Sequence, residues 1–137
     1  METTSEKDSN ATNEQRFLEA AELGKDKRTF TIYGNEVSLH TLTIKETLEA
    51  SLAAKPYIGT KAEWVALKTA IVALSIDTIN DSAFYTPISV DEPTAQRRFK
   101  KLSDNYYSDF ISACYEKYME MENEQRDILD KLKKAQA

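Results

Sequence analysis

Residues Phe30 to Glu46 read "FTIYGNEVSLHTLTIKE", and the fold turns on them. Apolar and polar residues alternate on both sides of a Gly34-Asn35 pair, the pattern of two strands joined by a tight turn. With that pair as the turn, Tyr33 stands opposite Glu36, Ile32 opposite Val37, and Phe30 opposite Leu39. Phe30, Ile32, Val37 and Leu39 then share one face, and Thr31, Tyr33, Glu36 and Ser38 share the other. Directly afterwards, Thr43-Ile44-Lys45-Glu46 has the capping-box form that starts a helix. A hairpin alone is marginal in water. Its apolar face must therefore lie on helices or pair with another copy.

Upstream, Met1 to Asn13 is polar and charged, and is expected to form a disordered arm. Glu14 to Leu23 predicts a short helix with Phe17, Leu18, Ala21 and Leu23 as its apolar set, Gly24 as its stop and Lys25 to Arg28 as a loop. Downstream, the helix capped by Thr43 carries Ile44, Leu48 and Leu52 on one face and should end near Lys55, ahead of Pro56. Thr60 to Glu63 repeats the capping pattern and opens the most regular helix in the chain. Trp64, Leu67, Ile71, Leu74 and Thr78 form one stripe, Val65, Thr69, Val72, Ile76 and Ile79 a second, and Ala62, Ala66, Ala70 and Ala73 a small-residue face. Apolar on several sides, this helix should be central. Asn80 to Asp91 reads as a loop. The last helix is expected from Asp91–Thr94 to about Lys134, with a break at Ser103-Asp104-Asn105 as the alternative. The expected fold is mainly α with one N-terminal β-hairpin, a single domain over 14–134 that ends in a long helix.

Composition restricts function. The chain has 137 residues and a formal net charge of −5, which argues against nucleic acid as the main ligand. Its basic clusters, Arg97, Arg98, Lys100 and Lys101, then Lys131, Lys133 and Lys134, sit among carboxylates and read as solvated helix faces. No basic start with an apolar run suggests a signal peptide. The longest apolar region, Val65 to Ile79, is interrupted by Lys68 and Asp77 and is too short to span a bilayer. A soluble, intracellular protein with no membrane partner is expected.

One His, His40, and one Cys, Cys114, cannot assemble the usual zinc ligand sets. His40 reads as a capping or surface residue, and Cys114 as a small core residue. Three isolated glycines provide no phosphate-cradling loop. No catalytic, metal or cofactor-binding residue is singled out, so a non-enzyme without cofactor is expected. The unusual feature is the group Tyr106, Tyr107, Phe110, Tyr115, Tyr118, Met119 and Met121. Tyr and Met suit adaptable binding surfaces, and at helical spacing they also suit a wide packed face. On the first reading Tyr107, Tyr115, Tyr118 and Met119 bind a partner, while Tyr106, Phe110 and Cys114 face the body. The outer hairpin residues Thr31, Tyr33, Glu36 and Ser38 are the candidate oligomerisation or docking edge.

The strand–turn–strand that passes through Leu42, Thr43 and Glu46 into helices resembles the start of tail assembly chaperones of tailed bacteriophages and of related small baseplate-hub assembly proteins. The Trp64 to Ile79 helix and the "SIDTIND" turn at 75–81 are similar to that family's middle section, so the resemblance spans Thr29 to Asp81. It implies a non-enzymatic assembly factor in the host cytoplasm that binds the helical tape-measure protein and recruits tail-tube or hub proteins, with a homo-oligomer as a further expectation. The alternative is a structural baseplate or hub subunit kept in the virion tail.

Overall fold

The computed structural model describes residues 26–136. The expected arm at 1–13 and the helix at 14–23 lie outside them. The described chain is mainly helical, with an antiparallel sheet on its N-terminal side and a long C-terminal helix. The hairpin is β1 (Lys27–Ile32) and β2 (Asn35–His40). Strand β1 therefore begins within the stretch expected as a loop. The central turn residues are Tyr33 and Gly34, at φ 49° and 80°, rather than Gly34-Asn35. A turn with positive φ at both centres has the twist that a two-residue hairpin needs. The register follows: Phe30 pairs with Val37, Thr31 with Glu36 and Ile32 with Asn35. Moving the turn by one residue slides the partners by two, so the faces survive. Ile32, Val37 and Leu39 are buried, and Phe30 packs beside them.

The hairpin is not alone. Helix α1 (Ile44–Ala53) starts at the expected capping box: Thr43 Oγ1 accepts from the Glu46 amide at 3.2 Å, and Glu46 Oε1 accepts from the Thr43 amide at 2.9 Å. A 3-10 turn (Lys55–Tyr57) carries Pro56. Helix α2 (Glu63–Ser75) begins without a side-chain cap. The Thr60 hydroxyl donates to the Tyr57 carbonyl instead, and Glu63 reaches back to the Gly59 amide at 2.7 Å. The helix stops at Ser75, four residues before the expected end. Ile76–Ile79 leaves as strand β3 and pairs with β2, and Ser82–Ala83 adds the short β4. Ile76, Thr78 and Ile79 are β-branched, which fits a pleated strand better than a last helical turn. Asn80 and Asp81, both at positive φ, turn the chain between β3 and β4. The sheet order is β1-β2-β3-β4, so β2 is internal.

Helix α3 (Thr94–Asn105) and α4 (Ser108–Gln136) are separated at Tyr106-Tyr107, just beyond the expected break. Tyr106 is extended at ψ 145°. Helix α4 rises roughly 43 Å at 1.5 Å per residue. Ile111, Cys114, Tyr118 and Met121 on its first half join Ile32, Val37, Leu39, Val72 and Ile76 in the main core, so α4 closes the apolar face of the sheet. A second cluster joins α1, α2 and α3 through Ala50, Ala53, Ala66, Ala70, Leu74 and Ala95. Alanine on facing helices brings their backbones close. Leu42 and Ile71 pack against both clusters. No residue from Glu122 to Ala135 is buried.

Candidate functional site

Two features of the described residues could carry function: a half-buried polar cluster at the junction of sheet and helices, and an apolar helix face turned outward.

The polar cluster centres on His40, the last residue of β2. Its Nδ1 lies 3.0 Å from Asp77 Oδ1 on β3, and its Nε2 lies 2.9 Å from Glu46 Oε2 on α1. The β2–β3 pairing and the capping box bring these partners together, because Glu46 holds the Thr43 amide with one oxygen and faces His40 with the other. Ser75 Oγ donates to the His40 carbonyl at 2.7 Å. Arg98 of α3 donates to the carbonyls of Ala73 (2.7 Å) and Ile76, at the C-terminal end of α2, where a cation complements the helix dipole. Lys27 Nζ lies 3.9 Å from Asp77. With Glu49, Leu74, Thr94 and Ala95 these groups line a cavity of about 370 Å³.

The electrostatics are coupled. Burial disfavours a charged His40, but hydrogen bonds to Asp77 and Glu46 outweigh it and raise its pKa above the ordinary value. Burial also works against ionised Glu46, yet the Thr43 amide and His40 hold its carboxyl below the usual range. Asp77 behaves likewise, its burial overcome by His40, Lys27 and Arg98. With both ring nitrogens engaged, His40 could accept a substrate proton only by giving up a carboxylate. Its geometry ties elements together. Cys114 offers no reactive thiol either, since burial pushes it up to about 12. Among the described residues, no group of three or more His, Cys, Asp or Glu is placed to hold a metal ion.

The apolar face lies on α1. Ile44, Leu48 and Leu52 are 82%, 62% and 58% exposed. They recur every four residues, about half a turn round from Ala50 and Ala53, which bury α1 against α2. Each would contribute roughly 1.5–3 kcal/mol if fully buried, so the fold leaves this stripe outward at a cost. Trp64 and Val65 at the start of α2, and Tyr57 and Ile58 before it, are also exposed.

The aromatic candidates divide. Tyr107 is 87% exposed in the α3–α4 break. Tyr115 is half-buried, edge-on to Trp64 with ring centroids 5.5 Å apart. Met119 packs partly against the main core. Tyr118 is 3% exposed, so it is a core residue rather than a contact. Its Oη accepts from the Leu42 amide at 3.3 Å and donates to Glu122 at 2.5 Å. As expected, Cys114 faces the body fully buried, and Tyr106 stacks on Phe110 at 5.4 Å over the core. At the hairpin, Thr31 and Tyr33 are exposed on β1 and its turn, but Glu36 and Ser38 stand on internal β2. The Glu36 amide donates to Asn80 Oδ1 and its carbonyl accepts from the Asn80 amide, so these two residues offer no open edge. Among the described residues the sheet ends at β1 on one side and at the two-residue β4 on the other, so Thr31 lies on an edge strand. Sequence reasoning found the Ile44-Leu48-Leu52 stripe but not its direction, and it missed the partners of His40, which lie 6 and 37 residues away.

No helix of the described residues is long and apolar enough to cross a membrane. Compared with family models, curated proteins and solved structures, the chain matches none.

Proposed function

We propose that this protein is a non-enzymatic assembly factor that covers the apolar face of a long helical client, in the manner of the phage tail assembly chaperones its hairpin-to-helix segment resembles. The client on this reading is the tape-measure protein. One observation carries it: the outward Ile44-Leu48-Leu52 stripe on α1. A client helix that exposes apolar residues at three- and four-residue spacing can lay them along such a stripe, and both surfaces leave water. Trp64 and Tyr107 add exposed aromatic area of the kind that dominates contact energy. The net charge of −5 favours solubility of a loaded complex.

The test is co-expression with the tape-measure protein. The double variant Leu48→Gln with Leu52→Gln should melt as the parent does and leave the client insoluble. If that variant solubilises the client as well as the parent, the α1 face is not the contact. Mass spectrometry of purified particles supplies a second arm. Stoichiometric protein in the finished tail would favour a retained baseplate or hub subunit over a chaperone.

A further inference from the structure

We propose that His40 is a pH-operated latch: doubly protonated, it ties α1 to the sheet through Glu46 and Asp77, and loss of one proton loosens α1. The geometry requires the charged ring. An ionised carboxylate can only accept, so contacts of 2.9 and 3.0 Å at both nitrogens need an N–H at each. A neutral imidazole has one N–H and would turn a lone pair toward the other carboxylate.

The charge balance points the same way. Lys27 from β1, Arg98 from α3 and His40 from β2 face Glu46 and Glu49 from α1 and Asp77 from β3. Three cations meet three carboxylates while His40 is charged. Deprotonation leaves a surplus negative charge in a half-buried space.

Release falls on α1 because the other junctions are redundant. Strands β2 and β3 are also held by ladder hydrogen bonds, and Ser75 anchors the His40 carbonyl. Asp77 keeps Lys27 close by. Helix α1 keeps chiefly the contacts of Ala50 and Ala53, small side chains with little area to bury.

The direction in pH follows from the shifts. A raised His40 pKa means its stabilisation is complete below the unfolded value near 6.5 and is lost as pH rises through the folded value. The lowered values of Glu46 and Asp77 mean theirs is present above about 4.5 and 3.8, and is lost as pH falls through the folded values. The latch is closed between these limits and opens on the alkaline side.

The chain's single histidine makes the test direct. In the full chain, a nitrogen-15 NMR titration of the ring should show both nitrogens protonated at pH 6 and a midpoint above about 6.5. Amide exchange in α1, corrected for its intrinsic pH dependence, should lose about tenfold in protection between pH 6 and 9, while β1 and β2 change less. His40→Gln should abolish that pH dependence. A midpoint at or below 6.5, a singly protonated ring at pH 6, or α1 protection that does not change across the range would overturn the latch. The titration of the parent chain decides the matter even if His40→Gln does not fold.

Discussion

Tyr33 is a large aromatic residue in a backbone conformation that suits asparagine or glycine. It sits at φ 49° in the β1–β2 turn, followed by Gly34, and is 69% exposed. An L-residue with a Cβ pays roughly 1–2 kcal/mol for that region, which Asn tolerates better. Tyr33→Asn creates the preferred Asn-Gly turn and should raise stability by about 1 kcal/mol in urea melts. An unchanged or lowered midpoint would mean that the ring makes a stabilising contact. Tyr118 poses the opposite case. Its hydroxyl satisfies the Leu42 amide, which leads into the α1 cap. Tyr118→Phe keeps the ring and orphans that donor, so it should cost about 1–3 kcal/mol. A loss well below that range would show that water or a shifted loop satisfies Leu42.

At the scale of elements, local chemistry was legible and long-range pairing was not. Thr43 and Glu46 announced the start of α1, although the same spacing at Thr60 and Glu63 forms no cap on α2. Alternation in the hairpin predicted which side chains turn inward but placed the pairing two residues out, since a period of two cannot distinguish registers of the same parity. The end of α2 was hidden. Apolar spacing continues through Thr78 and Ile79, and the β-branched residues of Ile76–Ile79 form a strand where β2 supplies a partner. The His40 cluster was hidden for the same reason, as Asp77 reaches it through that pairing. Tyr118 and Tyr115 could not be separated by composition, but the core seam of α4 through Ile111, Cys114, Tyr118 and Met121 separates them by position. That seam ends at Met121. Met121→Ala should therefore cost about 2–5 kcal/mol, and Ile128→Ala less than about 0.5 kcal/mol, when both are compared by denaturant unfolding. Equal losses would mean that the distal half of α4 is as firmly packed as the proximal half.

At the scale of the whole molecule, the question is whether two clusters make one cooperative unit. The main core joins the sheet to α2, to α4 and, through Leu102, to α3, and the alanine-rich cluster joins α1, α2 and α3. Alanines bury little area each, so the second cluster would be weak alone. It is coupled to the first by α2, which runs through both, and by Leu42 and Ile71, which pack on both. The parent chain should then unfold in a single transition, with the fluorescence of Trp64, its only tryptophan, coinciding with far-ultraviolet circular dichroism. Ile71→Ala removes one of the two shared side chains. It should lower the midpoint and draw the probes apart, because α1 then keeps fewer ties to the main core, to which Leu102 still holds α3. Leu102→Ala, a fully buried position within the main core alone, should lower the midpoint while the two probes stay together. If the probes already separate in the parent, the clusters are independent. α1 could then move with its exposed stripe without cost to the sheet.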